Sequence, residues 1–296
     1  MDENEFLGKA AYITKAICQR LHERILKHGF LGEKLAKPGD LKSTHDIDYI
    51  AADIALEALR GTGANVFIES IDTGQHDAAQ FSIYIDPVDG SLNYDRGIGD
   101  PSVAIAMSRK PQIESLEDLE FAYILGLRSQ HAYFTKTGES HLWINGMTKT
   151  HVIKCTPKQN LAESVAYLRP GYGFSEHYLA QVLPIFLKVK DIRAIDNTAM
   201  EMCEIARNAA DIMIEARNAS DVYNLLAYPI LRNAGGLLLD LHGNNLAKES
   251  LDLNKDYDYI ATNSQPLAIE AIEAMANFRQ STNYTIGRFN LTTLQN

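Results

Sequence analysis

Cysteine is scarce in this 296-residue chain, clusters of Lys and Arg are missing, and no apolar run is long enough to span a membrane. The three cysteines, Cys18, Cys155 and Cys203, lie far apart with no Cys-x-x-Cys spacing. That pattern speaks against a disulfide framework or a structural zinc site and fits inert thiols in a reducing compartment. The missing basic clusters argue against a nucleic-acid polymer as a partner. The first residues, Met1-Asp2-Glu3-Asn4-Glu5, are acidic and lead into no signal-like apolar core. Neither an internal repeat nor a low-complexity tract interrupts the chain. Together these absences predict a cytoplasmic protein with no membrane and no nucleic acid among its partners.

What is present is an ordinary globular composition, 46% apolar and 22% charged, over a length that supports a large core and two lobes. Lys and Arg number 28 against 38 Asp and Glu, a formal charge of −10. Such a charge keeps the surface soluble. It does not exclude an anionic ligand, because bound cations can reverse the local field.

Phe6, Ile13, Ile17, Leu21 and Ile25 recur at helical spacing, which predicts a helix over 5–28. Gly29, Gly32, Pro38 and Gly39 make 29–41 a loop, and a second helix is expected over 47–59 before Gly61-Thr62-Gly63. Short apolar runs then predict strands at 66–68, 81–85, 102–107 and 121–127, with a hairpin around Gly138. Beyond Cys155 the signals alternate: strands at 165–168, 212–214, 237–241 and 259–261, and helices at 176–187, 198–209 and 222–233. A final helix carries Pro266 near its first turn. Residues 1–155 therefore read as an α+β unit and 156–296 as an α/β unit. The tail after Asn277 has no legible structure.

The chemistry concentrates in Asp86-Pro87-Val88-Asp89-Gly90-Ser91, directly after the apolar run Phe81–Ile85. Two carboxylates three residues apart suit a hard cation such as Mg²⁺. The Gly and hydroxyl residue that follow suit a phosphate through outward N–H groups. Glu69 ends its own apolar run, and two neighbouring strands ending on one edge would bring Glu69, Asp86 and Asp89 together. Three such carboxylates repel unless cations neutralise them. Taken alone, the segment is also compatible with an Asp-Pro turn carrying exposed acids.

The run Asp86-Pro87-Val88-Asp89-Gly90-Ser91-x-Asn93 resembles the signature of the inositol monophosphatase-like family of Mg-dependent, lithium-sensitive phosphatases. Thr44-His45-Asp46-Ile47-Asp48, Phe67-Ile68-Glu69, Ala234-Gly235-Gly236 and Ile260-Ala261-Thr262-Asn263 are similar to further family segments and fall in the family's order. The resemblance covers roughly 40–276. It implies a layered αβαβα sandwich, a homodimer, two or three Mg²⁺ ions, and hydrolysis of a phosphate monoester by activated water without a phosphoenzyme. Inositol monophosphate is the default substrate it implies. Fructose 1,6-bisphosphate and 3′-phosphoadenosine 5′-phosphate are alternatives, as is a degenerate member that binds a phosphorylated ligand without turnover.

By position, the resemblance makes Glu69, Asp86, the Val88 carbonyl, Asp89 and Asp221 the metal ligands. Glu69, Ser91 and Asp46 become catalytic residues. Gly90, Ser91, Asn197, Thr198 and Glu215 become substrate contacts, and Lys37 matches a basic loop residue. Asp46 also reads as an acid favoured by a helix N-terminus. The chain departs from the pattern in three places. Ser70 stands where the family usually has a second acid. Asp221 falls about two residues early, with Tyr223 and Asn224 in the expected register, so it also reads as a plain N-cap. Asn197 narrows the approach to the substrate. Arg193 and Arg217 are within sequence reach of a second anion but read as surface charges.

Overall fold

The fold is described from a computed structural model over residues 1–29, 46–71, 73, 78–169 and 176–281. The elements run α1 (Glu3–His28), α2 (Asp46–Leu59), β1 (Asn65–Ile68), β2 (Ser82–Asp89), α3 (Ser91–Arg96), β3 (Ser102–Ser108), β4 (Phe121–Gly126), β5 (Ala132–Lys136), β6 (Glu139–Trp143) and β7 (Thr150–Ile153). They continue through β8 (Val165–Leu168), α4 (Glu176–Phe186), β9 (Asp191–Arg193), α5 (Thr198–Ala206), β10 (Ile212–Ser220), α6 (Tyr228–Asn233), β11 (Leu237–Leu239), β12 (Tyr257–Thr262) and α7 (Gln265–Ser281). Lys37 and the residues after 281 lie outside the described residues.

Strands β1 to β7 form one sheet in sequence order, parallel only between β1 and β2. The second sheet has the order β11-β12-β10-β8-β9, and β8 is parallel to both neighbours. Strand side chains alternate faces, and this alternation sorts the core into layers. Ile83, Ile85, Val103 and Ile105 meet α1 and α2, whereas Tyr84, Ala104 and Ala106 face α5 and α6. In the second sheet Tyr167, Met213 and Tyr259 face the same middle helices. Leu168, Ile212 and Ile214 turn outward onto α4 and α7. The order is helix, sheet, helix, sheet, helix: the layered sandwich expected from the sequence.

The middle layer explains the composition of α5. Packed between two sheets, it buries eight of its nine residues, so an amphipathic pattern would have been wrong for it. One predicted helix is corrected. The stretch 222–233 divides into a 3₁₀ turn (Tyr223–Leu225) and α6, whose Pro229 sits in the first turn. Proline lacks the N–H a helix interior needs, so the helix can only begin there. The strand expected at 212–214 instead runs to Ser220, with an irregular register after Glu215.

Candidate active site

Ile68 pairs with Ile85 in the parallel register of β1 and β2, and the Glu69 N–H donates to the Ile85 carbonyl at 3.0 Å. Both strands reach the same edge, so Glu69 stands beside Asp86. The Asp-Pro-Val-Asp segment does not turn; it completes β2. Asp86 pairs with Ala104 and Asp89 with Ser102, so three steps on β2 oppose two on β3. This bulge falls at Pro87, which has no ladder N–H to lose. It leaves Val88 buried outside the regular ladder, its N–H donating to Asp86 Oδ1 at 3.1 Å.

Gly90 makes the turn out of β2 with a left-handed φ of 80° and caps α3. Ser91 follows as the first helical residue, and first-turn amides have no intrahelical acceptor. A Cβ at Gly90 would meet the side chain of Asn197 and lie 3.3 Å from the Asp196 carbonyl. Asn93 Nδ2 donates to Asn197 Oδ1 at 3.1 Å, and also to the Ile195 carbonyl. The Ile195–Asn197 segment of the second half thus covers the turn of the first.

Asp89 crosses the same boundary. Its Oδ1 accepts the Thr198 N–H at 3.2 Å and its Oδ2 the Ala199 N–H at 2.8 Å. Asp221 accepts the Tyr223 and Asn224 N–H groups at 2.9 and 3.4 Å, capping the 3₁₀ turn. Its charge also acts on Glu69, so the cap and the carboxylate cluster share one residue. Tyr223 is partly buried against the core, and burial, then Asp221, pushes its phenol pKa far up.

The electrostatics are those of crowded acids. Burial first, then Asp221, Asp48 and Asp89, pushes Glu69 up to about 8. Burial and then Glu69 raise Asp86 well above its ordinary value. Asp89 is pushed up to about 7 by burial, against the pull of Arg169 and the Ala199 N–H. Asp48 on α2 therefore faces the cluster. It lies two residues beyond Asp46, which opens α2 but whose side chain is outside the described residues.

Asn197 and Thr198 are both buried. Thr198 Oγ1 accepts from Arg169 at 2.7 Å. Glu215 is 1% exposed, and Arg217 grips it twice, Nε to Oε1 at 2.9 Å and Nη2 to Oε2 at 2.5 Å. Arg217 is thus corrected from a surface charge to a buried one, whereas Arg193 pairs with Asp191 at the surface. Sequence reasoning missed Asp48, Arg169 and Glu201. The signal for Arg169 was legible: like Glu69 and Glu215, it directly follows an apolar strand.

Among the described residues, no three His, Cys, Asp or Glu side chains stand close enough to hold a metal ion as they are. The donor chemistry nonetheless fits a hard divalent cation. The donors are all oxygens, Asp86 Oδ2 is buried with no hydrogen-bond partner, and the carboxylates repel one another. A cation would satisfy the orphaned oxygen and relieve the repulsion together.

Comparison with known proteins bears on the same residues. The chain is 24% identical over 278 residues to a fructose-1,6-bisphosphatase/inositol-1-monophosphatase of Archaeoglobus fulgidus, covering 92% of this chain and 100% of that one. It is 26% identical over 238 residues to a bifunctional NADP phosphatase/NAD kinase of Methanococcus maripaludis, covering 74% of this chain but spanning only 40% of that relative. The fold matches the extragenic suppressor protein suhB of Bartonella henselae with a TM-score of 0.75 at 18% identity, covering 92% and 98% of the two chains. Among the described residues, no helix is long and apolar enough to cross a membrane. The family model described as the inositol monophosphatase family matches residues 10–279, which include every acid of the cluster. With that span and these carboxylates at the strand ends, the chain belongs to the inositol monophosphatase family.

Proposed function

We propose that the protein is a Mg²⁺-dependent phosphomonoesterase acting on a small phosphorylated metabolite, with inositol monophosphate as the first substrate to test. The observation that carries this reading is the set of carboxylates at the ends of β1 and β2, with Asp86 and Asp89 buried and Glu69 and Asp86 raising each other's pKa where β2 gives way to Gly90 and Ser91. Glu69, Asp86, the Val88 carbonyl, Asp89 and Asp221 would hold the cations, two or three in number. When bound, they would acidify a water and offset the charge of the phosphate. Glu69 takes the proton of the attacking water, and Ser91 Oγ orients that water. The first-turn amides of α3 at Ser91, with Gly90, receive the phosphate oxygens. With water as nucleophile, the chain supplies no covalent phosphoenzyme.

Asn197, Thr198 and Glu215 are the substrate contacts in this reading, and Asp46 keeps the catalytic role that the family resemblance implies for it. The site is completed between two units, 1–155 and 156–296; the first sheet ends at Ile153 and the second begins at Val165. We further infer a homodimer in the cytoplasm, the latter supported by three free cysteines. Sedimentation at twice the chain mass is the expected result for the dimer.

The test is phosphate release, with and without Mg²⁺, from inositol monophosphate, fructose 1,6-bisphosphate, 3′-phosphoadenosine 5′-phosphate and NADP⁺. The last is included because the Methanococcus relative is named for it. Release from at least one ester, lost on chelation, is expected. Metal binding without release from any would leave only a ligand-binding role.

Metal addition has its own readout. Mg²⁺ should raise the unfolding temperature, since a ligand at about a hundred times its Kd stabilises by roughly 2.7 kcal/mol. Asp221→Asn should shrink that shift. An undiminished shift would remove Asp221 from the ligand set.

A further inference from the structure

The segment that holds Asp89 is itself improbable. Asp196 adopts a left-handed φ of 67°, a conformation unfavourable for a residue with a side chain. The turn that follows must nevertheless aim two consecutive N–H groups, of Thr198 and Ala199, at the two oxygens of one carboxylate. Something has to hold it.

Two buried side chains converge on that turn. Glu201 Oε1 accepts the N–H groups of Asp196 and Asn197 at 2.9 and 3.3 Å. Arg169, 5% exposed at the end of β8, spans the whole segment with one guanidinium. Its Nη2 donates to Thr198 Oγ1 at 2.7 Å and to Glu201 Oε2 at 2.6 Å, and its Nη1 pairs with Asp196 Oδ1 at 3.2 Å. The planar fork therefore ties Asp196, the residue ahead of the N-cap, to the first helical residue and to the acid one turn on.

We propose that Arg169 is a positioning residue that locks the Asp196–Ala199 turn, so that the Thr198 and Ala199 amides hold the Asp89 carboxylate in a single orientation for its cation. Arg217 cannot replace it, because its guanidinium is committed to Glu215, with Asp196 only at 3.6 Å. Removing Arg169 also leaves Glu201 buried near Asp89 with its neutralising partner gone. The loss therefore acts twice: through a looser turn and through added like charge.

The inference rests on Asp89 being a cation ligand, but its decisive measurement uses the metal-free protein. In Arg169→Gln, hydrogen exchange at the Thr198 and Ala199 amides should accelerate about tenfold or more, while amides of β2 and β3 keep their rates. The Mg²⁺ concentration for half-maximal turnover should rise about tenfold. Arg169→Lys should recover little, because one ammonium cannot span three acceptors. Wild-type exchange at both amides in a folded Arg169→Gln protein would overturn the proposal.

If Arg169→Gln does not fold, Thr198→Val removes only the hydroxyl that Arg169 holds, and an unchanged Ala199 exchange rate there would overturn it equally. Failure of the cation reading looks different. Asp89→Asn would then keep its Mg²⁺ dependence, whatever the amides of the Arg169 variants do.

Discussion

Asp89→Asn should cost roughly 10³-fold in turnover and leave the protein folded. The carboxylate has two tasks that a carboxamide cannot share. Both oxygens accept backbone N–H groups of α5, Oδ2 also accepts from Ser102 Oγ at 3.5 Å, and the charge acts on Asp86. An Asn side chain offers one acceptor oxygen and turns an NH₂ toward a backbone N–H, so one of the two bonds is lost. Its neutral oxygen is also a far weaker ligand for a hard cation. Folding survives because the substitution removes a buried charge from a cluster in which like charges already repel. Steady-state phosphate release, alongside a urea transition, checks both halves. Retained turnover in the folded variant would remove Asp89 from the reaction.

Gly90→Ala is the second large effect, and here stability falls first. The new methyl would run into Asn197, with Asn197 Cγ only 2.8 Å from it. The φ of 80° adds backbone strain that no repacking removes. Clash and strain together should cost about 3 kcal/mol, read as a lower urea midpoint. The double variant Gly90→Ala/Asn197→Ala separates the terms. It should return the clash and keep about 1 kcal/mol of backbone strain. If the double variant is no more stable than the single, Asn197 is not what closes over Gly90.

The sequence carried most of the fold because strands buried on both faces stand out as short apolar runs and the outer helices write their faces in period 3.6. Tyr84 between Ile83 and Ile85 already assigns two opposite layers. What it could not carry are features decided by pairing. The bulge at Pro87 depends on where β3 lies, and without it Asp-Pro-x-Asp reads as a turn. The continuation of β10 past Glu215 depends on β12, which still pairs Tyr257 with Ser220.

The cluster was legible to the extent that its acids end apolar runs, as Glu69 does. Asp48, quoted only as part of the Thr44–Asp48 segment, was not singled out because it sits in the first turn of α2, where an acid favoured by the helix N-terminus is the ordinary explanation. Arg217 was misjudged for a related reason: composition cannot tell a surface arginine from one sealed against Glu215. Asp221 shows the limit of counting along the chain. Its register differs from the family pattern, yet its charge reaches Glu69, and a 3₁₀ turn follows it in place of a continuous helix.

Asp89 belongs to the strand that leads into Gly90, but the amides that fix it come from a helix more than a hundred residues later. A chain part-way through synthesis would already hold Glu69, Asp86 and Asp89, with only the Ser102 hydroxyl, at 3.5 Å, to orient the last of them. Tight capture of a cation would therefore wait until the second sheet and its middle helix had docked. On the proposed reading, cation affinity then becomes a report on completed tertiary structure.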